Sequence, residues 1–171
     1  MEQVIVEPRE ERANVVVFPR FGECSYRDSE VLEFPWGLPG FGHLRKFVVL
    51  QVAGQDGFIW LQSLDDTNVA LPLADPWSVF EDYDPHLPHY ATAALGIEDP
   101  EDFVIMCVVV VTKEAKERTM NLLAPIVINL KTRTGRQVML ENSGYSARTP
   151  MPRRPSQAGG AGSSEGEAVS P

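Results

Sequence analysis

The chain has 171 residues, 43% of them hydrophobic, which is enough for one globular domain with an apolar core. The longest apolar run, residues 103–111, is shorter than the roughly 20 residues of a membrane-spanning helix, and the N-terminus lacks the pattern of a signal peptide. Two widely separated cysteines, Cys24 and Cys107, fit a reducing compartment, so we expect a cytoplasmic protein.

The net charge of −9 is unevenly distributed. No lysine or arginine occurs between Lys46 and Lys113, which predicts a negative surface that repels phosphate and attracts a basic protein. The alternative is that these acids simply keep a small domain soluble. The acidic residues of this interval are Asp56, Asp65, Asp66, Asp75, Glu81, Asp82, Asp84, Glu98, Asp99, Glu101 and Asp102.

Both ends of the chain differ in composition from its middle. Residues 1–12 are highly charged and are interpreted as a leader or a loosely held first strand. Residues 147–171 are rich in Pro, Gly and Ser and offer nothing that packs in a core, which predicts a disordered tail. The predicted domain therefore covers residues 13–146.

Short β-branched and apolar runs alternate with turn sequences in this domain. Residues 47–52 and 58–64 flank a loop with glycine at both ends, which predicts a hairpin. Residues 103–112 are the strongest strand prediction, and their continuous apolar character indicates burial on both faces, with Cys107 as a core residue. Other strands are predicted at residues 13–18, 31–34, 69–73 (with Pro72 indicating an edge or bulge), 122–130 (broken by Pro125) and 136–140.

One helix is predicted at residues 90–95, because Pro88 suits a first helical turn and Gly96 is placed to end it. A second, shorter helical turn is predicted after Asp75, with Pro76 at its first position and the Asp75 carboxylate as its N-cap. Seven or more short strands with one or two short helices predict a mostly β fold, a small antiparallel β-barrel-like single domain.

Motifs for enzymatic chemistry are sparse. The sequence contains no Gly-rich phosphate loop after a strand, no Gly-x-Ser-x-Gly elbow and no His-Glu-x-x-His helix. The cluster of Asp82, Asp84, His86 and His89 suggests a metal-dependent hydrolase, but an intervening proline breaks the helical face and no second cluster supplies further ligands. We therefore predict a protein without catalytic residues, bound metal or cofactor.

Several segments resemble the FliW family of flagellar assembly factors. Phe-Pro-Trp-Gly-Leu-Pro-Gly-Phe at residues 34–41 is similar to the family's Phe-Pro-x-Gly-Leu-Pro-Gly-Phe turn. Residues 58–66 resemble its strand ending in Leu-Gln-Ser, and residues 121–129 resemble its Asn-Leu-x-Ala-Pro-hydrophobic-Asn strand. Ala-Asp-Pro-Trp at 74–77 and Asp-Tyr at 82–83 match two shorter elements of the family.

The resemblance covers about residues 13–148 and implies a small β-barrel-like fold without catalytic activity. It also implies two partners that bind in turn, flagellin and CsrA, the RNA-binding repressor of flagellin translation. Abundant flagellin would occupy the protein and leave CsrA free to repress, whereas export of flagellin would release the protein to bind CsrA. A chaperone that binds flagellin alone is an alternative, and no direct contact with nucleic acid or membrane is expected.

The acidic interval offers a physical basis for this exchange. A negative protein beside the basic surface of CsrA would repel RNA, but only at close range, because the Debye length is about 8 Å at physiological salt. Affinity is expected from aromatic anchors among the acids, unless Trp77 and Phe80 pack inward. The predicted partner-binding residues are Asp75, Trp77, Phe80, Glu81, Asp82, Tyr83 and Asp84.

Two of the quoted motifs also have a structural interpretation. The prolines and glycines of the first turn predict a stiff corner that presents Trp36, Leu38 and Phe41, at least one of which is expected to pack in the core. Asn121 and Asn129 bracket an apolar strand, and their amides are expected to bind backbone groups at its ends.

Overall fold

The structure, a computed structural model, describes residues 11–55, 57–112 and 117–152. In these ranges the chain forms eleven strands, one α-helix, α1 (His89–Ala94), and three 3₁₀ helices (Asp28–Glu30, Pro76–Ser78 and Pro100–Asp102). None of the described helices is long and apolar enough to cross a membrane. The strands are β1 (Asn14–Phe18), β2 (Gly22–Tyr26), β3 (Leu32–Glu33), β4 (Lys46–Leu50), β5 (Ile59–Ser63), β6 (Ala70–Ala74), β7 (Phe103–Val111), β8 (Arg118–Met120), β9 (Ile126–Asn129), β10 (Thr134–Gln137) and β11 (Thr149–Pro150).

Seven strands close into a barrel in the order β7-β6-β5-β4-β3-β10-β9, and β9 pairs back with β7. The ring pairings are antiparallel except that of β3 with β10, where Glu33 lies opposite Thr134. The predicted mostly β, barrel-like domain is confirmed, with one parallel pair added at the point of closure.

The strands β8 and β9 follow one another along the same edge of β7. Five residues, 121–125, separate β8 from β9. On β7, only Cys107 and Val108 lie between the residues that pair with these two strands. Pro125 lies in this wide bulge, so the strand predicted at residues 122–130 begins only at Ile126.

Apolar side chains form two clusters on opposite faces of β7. The strand is fully buried on the face of Ile105, Cys107 and Val109, so the prediction of Cys107 as a core residue is confirmed. The expected burial of both faces is wrong, because Met106 and its neighbours on the other face are only partly buried or exposed. The inner cluster fills the barrel with Leu32, Phe34, Leu38, Leu44, Phe47, Leu61, Leu73, Ile126 and Ile128. The outer cluster includes Ala74, Tyr83, Ala91, Leu95, Ile105, Cys107, Val109, Met120, Leu122 and Val127.

The locally encoded elements are confirmed. The runs at 47–52 and 58–64 form the antiparallel hairpin of β4 and β5, and α1 ends before Gly96, which has a φ of +62°. Pro72 lies where the pairing of β6 with β7 stops, since only Leu73 and Ala74 pair with β7. This position requires no backbone donor, as expected for proline.

Three strands, β2, β8 and β11, were absent from the prediction. The hairpin of β1 and β2 forms its own two-stranded sheet. The strand β11 follows residue 146, where the domain was predicted to end, and pairs with β8, so the sheet extends to Pro150. Residues 1–10 of the predicted leader and 153–171 of the predicted tail lie outside the described residues.

Candidate protein-binding site

The predicted partner-binding residues lie in the excursion between β6 and β7, and the start of this excursion is fixed locally. The Asp75 carboxylate accepts the backbone N–H of Trp77 at 3.0 Å, and its carbonyl accepts the Ser78 hydroxyl at 2.6 Å. Pro76 occupies the first position of the 3₁₀ helix. The prediction of Asp75 as an N-cap is confirmed, and its carboxylate is used in this structural role.

Aromatic side chains hold the next part of the excursion in place. The Trp77 indole N–H donates to the carbonyl of Tyr83 at 2.7 Å, and the two ring centroids are 5.7 Å apart. Tyr83 is only 4% exposed and donates its hydroxyl to the carbonyl of Leu122 in the bulge at 2.9 Å. Burial raises the pKa of Tyr83 well above its usual value, so the phenol remains a donor.

The three predicted aromatic anchors differ in exposure. Tyr83 is buried beneath the segment, so it presents almost no surface to a partner in this structure. Phe80 is partly buried against the outer cluster, as the inward-packing alternative describes. Trp77 is 39% exposed, and it is the member of this group with a substantial surface for a partner.

The acids around these aromatics are exposed. Within the described ranges Glu81 and Asp82 form no ion pair, and the Asp84 carboxylate pairs only with the exposed His86, at 3.5 Å. We call residues 81–84 the acidic segment. Its three carboxylates extend into solvent from a backbone that the aromatic contacts fix.

Other acids of the basic-free interval are compensated by residues from outside it. Lys131 lies 2.6 Å from the buried Asp102 and holds the pKa of that carboxyl below its usual value. At Asp65, burial raises the pKa of the carboxyl, but hydrogen bonds from the backbone N–H groups of Arg45 and Lys46 outweigh burial and lower it. The negative character predicted for the whole interval is therefore reduced at these two positions and retained in the acidic segment.

The cluster of Asp82, Asp84, His86 and His89 does not converge. No group of three or more His, Cys, Asp or Glu side chains with metal-binding geometry occurs in the part of the chain that the structure describes. The side chains of His86 and Asp84 are both strongly exposed to solvent and do not face an enclosed site. The hydrolase alternative finds no support in this geometry.

Sequence reasoning missed Tyr145 as part of the site. Its ring packs edge-on against Tyr83, with centroids 4.8 Å apart, and its hydroxyl accepts the backbone N–H of Asp84 at 2.9 Å. No local signal reveals this contact, because the two residues are 61 positions apart.

The structural interpretations of the other motifs are confirmed. Asn129 donates to the carbonyl of Leu95 at the end of α1 and accepts the backbone N–H of Lys131, and Asn121 accepts that of Ala124. In the proline- and glycine-rich corner, Leu38 is buried in the inner cluster and Trp36 is exposed.

Comparison with known proteins identifies the family. The family model described as "FliW protein" matches residues 16–151. The flagellar assembly factor FliW of Pseudothermotoga lettingae is 44% identical over 130 residues, covering 75% of this chain and 83% of that protein. That of Thermosipho africanus is 38% identical over 127 residues, covering 74% of this chain and 88% of that protein.

A solved structure agrees with these relatives. The crystal structure of the flagellar assembly factor FliW superposes with a TM-score of 0.74 at 30% sequence identity, covering 80% of this chain and 96% of that one. The residues that the family model matches, 16–151, include the barrel, the acidic segment and β11. On the strength of this agreement in sequence and fold, the chain belongs to the FliW family of flagellar assembly factors.

Proposed function

We propose that this chain is a non-enzymatic cytoplasmic regulator that binds flagellin and, when flagellin is scarce, binds CsrA and relieves repression of flagellin translation. Membership of the FliW family supports the connection with the flagellum. The observation that carries the proposed contact with CsrA is the acidic segment, whose exposed carboxylates have no lysine or arginine partner among the described residues.

The chemistry of an RNA-binding repressor makes it a suitable partner for this segment. A protein that holds RNA presents lysines and arginines to phosphates, and these side chains are attracted to carboxylates. Glu81, Asp82 and Asp84 would accelerate the encounter and, at distances within about 8 Å, repel RNA from the same surface. Trp77 would supply the desolvated contact that charged rim residues do not.

The fixed backbone of the segment supports this assignment. Tyr83 is hydrogen-bonded to Leu122, and the Asp84 backbone to Tyr145, so the backbone that carries the carboxylates is held in place before binding. A preorganised surface loses less conformational freedom when a partner binds. The acidic segment is therefore better suited to recognition than an unconstrained run of acids.

The test is a binding titration of the full chain with purified CsrA and purified flagellin. The variant carries Glu81→Gln, Asp82→Asn and Asp84→Asn, and the control carries Glu98→Gln, Glu101→Gln and Glu141→Gln, which remove the same charge at other exposed positions. We expect CsrA binding to weaken about tenfold or more in the first variant at low salt, with a smaller difference at high salt.

Three outcomes contradict parts of this proposal. Equal losses in both variants would indicate general electrostatics and not a defined site. Unchanged CsrA binding and unchanged RNA release in the first variant would exclude the acidic segment. If the wild-type chain binds flagellin but not CsrA, the protein is a flagellin chaperone without the regulatory exchange.

A further inference from the structure

Three residues from distant parts of the sequence, a partly buried arginine and two exposed aromatic residues, form a stack outside the acidic segment. The guanidinium carbon of Arg136 lies 4.6 Å from the ring centroid of Trp36 and 5.2 Å from that of Tyr90. Trp36 belongs to the corner after β3, Tyr90 to α1 and Arg136 to β10. We call these three residues the arginine stack.

Each member of the stack is attached to a well-fixed element. The corner is closed by a hydrogen bond from the Gly37 N–H to the Phe34 carbonyl at 2.8 Å, where Gly37 has a φ of +64°. The end of α1 is bound by Asn129, and Arg136 is paired within the sheet opposite Val127. The stack therefore presents its side chains from a rigid framework.

The two rings of the stack are exposed, and the guanidinium of Arg136 has hydrogen-bond donors without a partner among the described residues. Trp36 is 46% exposed and Tyr90 is 54% exposed. The Arg136 side chain makes no hydrogen bond or ion pair to any residue in the ranges 11–55, 57–112 and 117–152. Because cation–π contacts use the faces of a guanidinium, the N–H groups along its edge remain available for a carboxylate.

We propose that the arginine stack docks a carboxylate side chain of a protein partner, with the two aromatic rings covering the apolar atoms beside it. Guanidinium edges bind carboxylates through paired N–H···O bonds, and this geometry is directional. Trp, Tyr and Arg are also the residue types most enriched among interface residues that dominate binding energy. The partner is therefore a folded or extended protein segment that carries an exposed Asp or Glu.

The assignment of this partner rests on the proposed function. CsrA presents basic residues to RNA, and these would be repelled by Arg136, so the docked partner is flagellin. Asp84 and Tyr90 are six residues apart, which limits their separation to about 20 Å. An interface of ordinary size buries about 800 Å² on each partner, so proteins on the two surfaces would collide and exclude one another.

The experiment titrates the full-length chain with purified flagellin and purified CsrA, using Arg136→Glu, Trp36→Ala and Tyr90→Ala. We expect Arg136→Glu to weaken flagellin binding about tenfold or more and to leave CsrA binding within about twofold. Arg136→Lys should give an intermediate loss, because it keeps the charge but not the planar stack. The matched control is Arg118→Glu. Arg118 is an exposed arginine on β8, and its guanidinium carbon also lies over an aromatic ring, 5.3 Å from the ring centroid of Phe58.

The unfolding midpoint of each variant is measured so that a loss of binding is interpreted only for folded protein. Trp36→Ala and Tyr90→Ala remove exposed rings, and they test the surface if Arg136→Glu fails to fold. Unchanged flagellin binding in the folded variants overturns the inference while leaving the proposed function intact. An equal loss in Arg118→Glu, or a loss of CsrA binding instead, overturns it as well. A wild-type chain that binds neither protein overturns both proposals.

Discussion

The backbone N–H of Asp84 donates a hydrogen bond to the phenol oxygen of Tyr145 at 2.9 Å, across 61 residues of sequence. Tyr145 also packs edge-on against Tyr83, and its segment continues into β11, which pairs with β8. The acidic segment is thus positioned by residues near the end of the described fold, and a change at Tyr145 tests this connection.

Tyr145→Phe removes the acceptor for the Asp84 amide and keeps the ring. We expect it to lower the free energy of unfolding by about 1 kcal/mol, the usual net value of one hydrogen bond, and to accelerate hydrogen exchange at the Asp84 amide. Urea denaturation and amide exchange measure the two effects. Tyr90→Phe is the control because Tyr90 is exposed, and unchanged exchange at Asp84 in Tyr145→Phe would contradict the bond.

Gly135 on β10 tests the packing of the barrel interior. A Cβ at this position would overlap the ring of the fully buried Phe34. We expect Gly135→Ala to lower the free energy of unfolding by about 1–3 kcal/mol, the usual cost of overpacking a core. At Gly42 an added Cβ has no heavy atom within 4 Å, so Gly42→Ala is the control.

The double variant Gly135→Ala/Phe34→Leu identifies the cause of that loss. If the clash with the Phe34 ring is responsible, the double variant loses less stability than the sum of the two single variants. Chemical denaturation of all four proteins measures this coupling. Additive losses would show that the Gly135→Ala effect arises elsewhere.

The Asp102–Lys131 pair predicts a pH-dependent contribution to stability. The hydrogen bond from Lys131 lowers the pKa of Asp102 from its ordinary 3.8, so the contribution is present above that value and is lost as pH falls through the folded-state pKa. The same bond raises the pKa of Lys131 above 10.5, so at the alkaline end the contribution is lost as pH rises through the raised value.

Asp102→Asn measures this contribution. We expect the variant to be less stable than wild type at neutral pH and the difference to shrink as pH falls below 3.8. Urea midpoints collected across this range follow the change, and the exposed Glu101→Gln serves as the control. A difference between Asp102→Asn and wild type that is independent of pH would contradict the ionic origin.

The two cysteines should react very differently with a thiol reagent. Cys107 is fully buried, and burial raises its pKa to about 12, whereas Cys24 is partly exposed. At neutral pH we expect one rapidly modified thiol in the native protein and two in urea, because the thiolate is the reactive form. Cys24→Ser should abolish the rapid native reaction, and a persisting rapid reaction would place an accessible thiolate at Cys107.

The parts of the fold that the sequence predicts are those encoded by neighbouring residues. The Asp75 cap, the helix before Gly96 and the β4–β5 hairpin depend on contacts within a few positions, and each is found where expected. Strands β8 and β11 have only three and two residues, and β11 pairs with β8 from a distant part of the chain, with Thr149 opposite Met120. Runs of two or three residues are too short to show the alternating pattern by which a strand is predicted from sequence.

The candidate site shows the same division. The exposure of Glu81 and Asp82 follows from their polarity, but the burial of Tyr83 follows from an acceptor at Leu122, which its neighbours do not indicate. Likewise, the stack around Arg136 joins residues 36, 90 and 136, which come together only when the ring closes.

The parallel pairing of β3 with β10 closes the barrel through residues about 100 positions apart, Glu33 and Thr134. While the nascent chain is still being synthesised, the inner cluster cannot be sealed until β10 has left the ribosome, because long-range pairing must wait for both strands. A chain that stops short of Gln137 would therefore expose the barrel interior and be vulnerable to aggregation and proteolysis.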